Sequence, residues 1–173
     1  MRTVPYLTFA GNAREAMIFY KNCIGGKLEM RTIGQSPLAK QMPAKMKKCI
    51  LHSSLIKKEF VIMASDMVGE NGLAKGNSVS ILLNCDSERE IKSIYKKLSQ
   101  GGKRSHPVET TFFGSFLGDL VDQYGNTWIL HYKKTNYKTM ELRRRASVAN
   151  IKKQKHENKK DHFLDNYEYH FPF

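Results

Sequence analysis

His52 and Ser54 stand two residues apart in Ile50-Leu-His-Ser-Ser54, inside a run that alternates like a strand, so both side chains fall on one face. An imidazole with a near-neutral pKa beside a hydroxyl can act as a general base or hydrogen-bond a ligand. It can equally be a strand histidine satisfied by a neighbour. Asp119 shares a face with Leu117 and Val121, and a carboxylate in such company needs a partner. A ligand and an ion pair across a dimer both satisfy that need. Asp66 closes the stretch Met63-Ala-Ser-Asp66, where it either caps a turn or lines a cavity mouth. His131 shares a face with Ile129 near a strand end, and His106 beside Pro107 reads as loop. Tyr6, Phe112, Phe113 and Trp128 are candidate aromatic walls, or core.

Other chemistries lack their motifs. There is no phosphate loop, zinc-finger spacing or nucleophile elbow. Cys23, Cys49 and Cys85 are widely spaced with no C-x-x-C pair, which reads as buried reduced thiols and a cytoplasmic protein. No apolar run reaches the roughly 20 residues of a membrane helix, so no membrane partner is expected. Nearly half of the +13 formal charge falls beyond Tyr132, and the rest is scattered without interleaved aromatics. That pattern reads as solvated surface, so nucleic acid is not an expected partner. Arg143-Arg-Arg-Ala-Ser147 fits a basic-residue-directed kinase site and is read as coincidence.

The elements that position these residues come in two copies. Arg14, Glu15, Tyr20 and Lys21 recur at one constant offset as Arg89, Glu90, Tyr95 and Lys96. Gly25-Gly-Lys27 recurs as Gly101-Gly-Lys103 after one inserted residue. In the first copy the periodicity predicts a strand at 5–10 and a helix capped by Asn12 with Glu15 as a capping box. Ala16, Phe19, Tyr20 and Cys23 form its apolar stripe, and Gly25-Gly26 ends it. Strands at 27–33, 48–56 and 59–65 follow, with a loop at 34–47 holding a helical turn near 43–47. The second copy predicts a strand at 78–84, a helix from Ser87 with Glu90 as its capping box, strands at 103–112 and 115–122, and a last strand at 126–132. The expected fold is α+β, with two tandem β-α-β-β-β modules at about 4–66 and 77–132. Together they make a domain over 1–132, and 133–173 is a basic tail.

A family resemblance rests on several of these segments. They are Pro5-Tyr-Leu-Thr-Phe, Asn12-x-Arg-Glu-Ala-x-x-Phe-Tyr20 and Met63-Ala-Ser-Asp66 in the first half. In the second they are Asn77-x-x-Ser-x-x-Leu-Asn84, Thr111-Phe-Phe-Gly114 and Asp122-Gln-Tyr-Gly-Asn-Thr-Trp128. The chain resembles the vicinal oxygen chelate superfamily, which includes glyoxalase I, extradiol dioxygenases and bleomycin-resistance proteins. Within it the chain is similar to the PhnB-like, 3-demethylubiquinone methyltransferase-like group. The resemblance implies a curved mixed sheet around a cavity and a homodimer. In metal-dependent members the first and last strands of each module hold a divalent ion that stabilises an enolate or oxyanion.

Those positions are read here as Tyr6, Ser80, Val61 and Ile129, none a competent ligand for a divalent ion. No metal or other cofactor is therefore expected. Nor is there a Gly-rich motif of the kind a methyl-donor site commonly uses. The leading expectation is a protein that binds a small organic molecule, with Tyr6, His52, Ser54, Asp66, Ser80, Phe113 and Trp128 as contacts. The alternatives are an enzyme of lyase, isomerase or dioxygenase type on a small oxygenated substrate, metal-assisted or using His52 or Asp119 for proton transfer, and a polyanion adaptor acting through the tail. Substrate identity is not legible.

Overall fold

The computed structural model describes residues 3–69 and 72–134. The expected tail, with its Arg143–Ser147 motif, lies outside them apart from its first two residues. The first module comprises β1 (Tyr6–Thr8), α1 (Ala13–Ile24), β2 (Lys27–Thr32), β3 (Ile50–Lys57) and β4 (Phe60–Ser65). The second comprises β5 (Ile81–Asn84), α2 (Glu88–Leu98), β6 (Lys103–Thr110), β7 (Ser115–Val121) and β8 (Thr127–Lys133). Each module is a four-stranded mixed sheet, in the orders β1-β4-β3-β2 and β5-β8-β7-β6. The β1/β4 and β5/β8 pairs are parallel and all others antiparallel. The same topology twice is the structural form of the sequence repeat.

Each helix covers one face of a sheet because its apolar positions recur at helical spacing. Ala13, Ala16, Met17, Tyr20, Cys23 and Ile24 are the buried residues of α1, and Ile91, Ile94, Tyr95 and Leu98 those of α2. Alternate strand residues meet them, among them Leu55, Ile62 and Ala64 in one module and Leu120, Trp128 and Leu130 in the other. One contiguous core runs through both halves. The remaining strand residues face away from the helices.

The repeated glycines have a specific duty. A Cβ on Gly26 would lie 2.5 Å from the Ile56 carbonyl oxygen, and one on Gly102 would lie 2.3 Å from that of Val121. Both are impossible contacts. Glycine therefore lets the chain leaving each helix press against the end of the next strand but one. Ile56 and Val121 are thus equivalent, which sets the whole correspondence between modules.

Several local expectations change. Asn12 makes no side-chain cap. Asp66, at the end of β4, takes that role by accepting from the Gly11 and Ala13 amides at 3.0 and 2.8 Å. Ser87 does cap α2, accepting from the Glu90 amide at 3.1 Å. The Glu90 carboxylate accepts instead from the Asp86 amide at 2.8 Å, one residue earlier than a capping box requires. The stretch between β2 and β3 holds three short 3-10 turns, Ile33–Gln35, Pro37–Lys40 and Ala44–Lys48. His106, expected in a loop, lies within β6.

A buried carboxylate joins the modules. Asp122, in the β7–β8 turn, is only 3% exposed. Its Oδ2 accepts from the Tyr20 hydroxyl at 2.7 Å and from the Trp128 indole at 2.8 Å. Its Oδ1 accepts from the Tyr124 and Asn126 amides at 2.8 and 3.0 Å. The Asn126 side-chain amide then donates to the Tyr20 oxygen at 2.7 Å. Four donors offset the cost of burying this charge. Burial, followed by the Asp122 charge, pushes the Tyr20 phenol well above its ordinary value, so it stays a donor. Lys57–Glu90 at 3.0 Å and Lys58–Asp86 at 3.1 Å add ion pairs between the modules. Tyr20→Phe keeps the ring and removes only the hydroxyl between Asp122 and Asn126. It is expected to cost about 1.5–3 kcal/mol in urea-unfolding free energy, as for hydrogen bonds to charged groups.

Candidate functional site

The helix-free faces of the two sheets carry the polar groups that packing does not use. Pairing registers order them into rows. Across the first sheet Tyr6, Met63, Ser54 and Glu29 are successive partners. The equivalent row of the second sheet reads Leu82, Ile129, Asp119 and His106. One step along, Thr8, Ser65, His52 and Arg31 correspond to Asn84, His131, Leu117 and Glu109.

These rows correct the positions inferred from the repeat. The counterpart of Ile129 is Met63 rather than Val61, and that of Tyr6 is Leu82 rather than Ser80. Ser80 lies just before β5 and is exposed. The corrected set of Tyr6, Leu82, Met63 and Ile129 offers a neutral phenol, two hydrocarbons and a thioether. None is a good ligand for a hard divalent ion. The residues present therefore do not fit the metal centre that the fold can hold.

The two faces differ in how their polar groups are engaged. On the second sheet His106 Nδ1 lies 2.6 Å from an Asp119 oxygen, and His131 Nδ1 lies 3.0 Å from the Asn84 side-chain oxygen. On the first sheet the His52 ring sits 6.2 Å from the Tyr6 ring, tilted by 34°. Neither the His52 and Ser54 side chains nor the Tyr6 hydroxyl hydrogen-bonds another described residue, and Tyr6 is 51% exposed. The structure thus brings Tyr6, His52 and Ser54 together on the open face of the first sheet, and Asp119 lies on the second sheet.

The other sequence candidates have other duties. Asp66 holds the entry of α1 and also accepts from the Ile50 amide at 2.8 Å, so both its oxygens are engaged by backbone. Trp128 is fully buried in the core. Phe113 and its neighbour Phe112 form an edge-to-face pair at the β6–β7 turn, 83% and 99% exposed. Sequence reasoning missed Arg31, whose place beside His52 follows only from strand register. It also missed the His106–Asp119 contact, because Pro107 suggested a break where β6 bulges instead.

Away from the faces, a cleft of about 400 Å³ opens at the seam between modules, walled by Ile24, Phe60, Leu83 and Ile94. Its Lys57 and Glu90 pair with each other, and the Asp86 amide with Lys57 holds the Glu90 carboxyl below the usual range. Cys85 is also there, its thiol pushed up to about 12 by burial and by Glu90 and Asp86. Burial likewise raises Cys23 to about 11. Both stay protonated and poorly nucleophilic near neutrality. Lys75, from the segment linking the modules, donates to the Tyr124 carbonyl and lies 5.2 Å from the centre of the Phe9 ring.

Two β-α-β-β-β modules with open sheet faces define the glyoxalase/bleomycin-resistance architecture. A family enzyme of that superfamily from Burkholderia phytofirmans shares the fold at a TM-score of 0.52 and 9% identity, covering 77% of this chain and all of its own. More specifically, the chain belongs to the 3-demethylubiquinone-9 3-methyltransferase family, which it matches over residues 1–131. It is 35% identical to a Pseudomonas aeruginosa protein of known crystal structure, over 78% of this chain and 99% of that one, with a TM-score of 0.68. A Bacillus cereus protein described as a putative 3-demethylubiquinone-9 3-methyltransferase, PhnB protein, is 28% identical over 76% and 99%, with a TM-score of 0.60. Protein YjdN of Escherichia coli is 27% identical over 75% of this chain and 94% of its own length. Among the described residues no helix is long and apolar enough to cross a membrane.

Two outcomes separate scaffold from surface. Asp66→Ala should lower stability by about 1–3 kcal/mol, because it orphans backbone donors at a helix start. His52→Ala should change it by less than about 0.5 kcal/mol, as exposed positions usually do. Urea midpoints of the two variants measure both. The raised thiols contribute to the alkaline limit. Their contribution is complete below the ordinary thiol value near 9.0 and is lost as pH climbs towards about 11 and 12. The urea midpoint should accordingly fall between pH 8.5 and pH 11, and Cys23→Ala/Cys85→Ala should flatten that fall.

Proposed function

We propose that the protein binds a small organic molecule against the helix-free face of its first sheet, without a glyoxalase-type metal centre. The observation that carries this reading is unspent hydrogen-bonding capacity. Tyr6, His52 and Ser54 present a phenol, an imidazole and a hydroxyl on one surface, with no hydrogen bond to any other described residue. Met63 lies between Tyr6 and Ser54 and adds a polarisable apolar floor. Apolar surface with a few directed polar groups is what small-molecule sites offer. The metal-free part rests on the residue types at Tyr6, Met63, Leu82 and Ile129. Methyl transfer, which the family's name carries, finds no support in the residues of either face.

A second copy of the chain is the cover we propose for the helix-free face of the second sheet. In its favour, Leu82 is 57% exposed and Leu117 42%, and the Phe112–Phe113 pair of the same module is bare. Light scattering on the purified protein should give twice the monomer mass, and a monomer at tens of micromolar would sink that part.

One observation favours an enzymatic alternative on the second face. His106 held by Asp119 at 2.6 Å keeps Nε2 for moving a proton on an oxygenated substrate. The polyanion reading depends on residues beyond Lys134. Its deciding experiment is heparin binding and its salt dependence before and after their removal.

The leading reading is tested by NMR titration with a mixed library of uncharged and charged fragments. Resonances of Tyr6, His52 and Ser54 should move together, and His52→Ala should weaken the best fragment about tenfold. Binders that shift only Ile24, Phe60 and Ile94 would place the site in the seam cleft instead. Elemental analysis of the purified protein should find far less than one metal per chain. Stoichiometric metal lost in His52→Ala would end the metal-free view.

A further inference from the structure

We propose that the ligand of the first sheet is a small aromatic acid, its carboxylate held by Arg31 and His52 and its ring set against Tyr6. This deepens the binding reading above and rests on it. Arg31 on β2 is the register partner of His52 on β3. Such neighbours have Cβ atoms about 5 Å apart, so guanidinium and imidazole can converge on one anion. The Arg31 guanidinium makes no ion pair or hydrogen bond with another described residue. The acid nearest it in sequence, Glu29, faces the same way and is held by Lys27 at 2.6 Å. Arg31 contributes only the smallest part of the pull that lowers the Glu29 carboxyl. Among the described strand residues of this face, Arg31 is therefore the positive charge left to offer.

The shape of the donor set narrows the ligand. A guanidinium presents planar, forked N–H groups that match a carboxylate edge to edge. His52 and Ser54 add single donors beside it, and Tyr6, tilted towards His52, gives an aromatic surface beyond. From β2 to β1 the face spans three inter-strand gaps, roughly 14 Å between backbones.

The second sheet is the internal control. At the position equivalent to Arg31 it carries Glu109, and at that of His52 it carries Leu117. Asn84 and His131 in the same row already bond to each other. At those two positions an anion would meet a like charge and a hydrocarbon in place of the guanidinium and the imidazole. The two halves share a backbone plan, and their open faces have opposite preferences.

The test uses three probes on the full chain: benzoate, its neutral analogue benzamide, and acetate, an anion without a ring. Amide and side-chain resonances of Arg31, His52 and Tyr6 are followed by NMR. Benzoate should bind at least tenfold more tightly than either of the others, and its advantage should shrink as salt rises. Arg31→Gln, at an exposed position, should bring benzoate down to the level of benzamide and leave benzamide unchanged. Benzoate no tighter than benzamide, or a preference that survives Arg31→Gln, would overturn the acid assignment alone. If no probe moves the Tyr6, His52 and Ser54 resonances while library fragments do, the acid is again wrong and the binding face stands. If nothing at all moves them, the binding reading itself fails.

Discussion

The fold depends on one buried carboxylate. Asp122 accepts from two side chains and two backbone amides, and the donors come from both modules. Taking that charge out of water is costly, and only the complete set of partners offsets the cost. Tyr20 reaches it from α1 across a separation of 102 residues, and so fixes where the first helix stands on the second module. The aromatic cluster around this contact, with Tyr20 and Trp128 ring centres 5.4 Å apart, then packs against a rigid reference. Every statement about which faces remain open follows from that placement.

Much of this was legible in the sequence. The duplicated helix and Gly-Gly-Lys gave the two modules and the order of elements along each, because the same periodicities recur with the same stops. The reasons behind the marks were less visible. Asn12 looks like a helix cap, and the backbone there is served by Asp66, more than fifty residues away. The segment from Asp122 to Trp128 reads as a turn and a strand start, and its role in joining modules needs Tyr20 to be nearby. Long-range partners leave little local signature.

The site was legible in part, for a similar reason. Alternation put His52 and Ser54 on one face, and that holds in β3. Alternation cannot say which residue of a neighbouring strand stands opposite, so Arg31 went unseen and the counterparts of Tyr6 and Ile129 were each misplaced by two residues. Register is set by backbone pairing and by the glycine contacts at Gly26 and Gly102. Trp128 and Phe113 went opposite ways, into the core and out to a hairpin tip. Hydrophobicity alone does not distinguish those destinations.

Those two glycines have a wider consequence. Because main-chain contact sets the approach of strands in each half, the outward side chains are relieved of any part in alignment. The duplicated halves are therefore two copies of one frame whose outer surfaces can be rewritten independently. Arg31 against Glu109, and His52 against Leu117, are what such rewriting looks like. A gene duplication of this kind yields a spare surface, free to acquire a new preference while its twin keeps the old one.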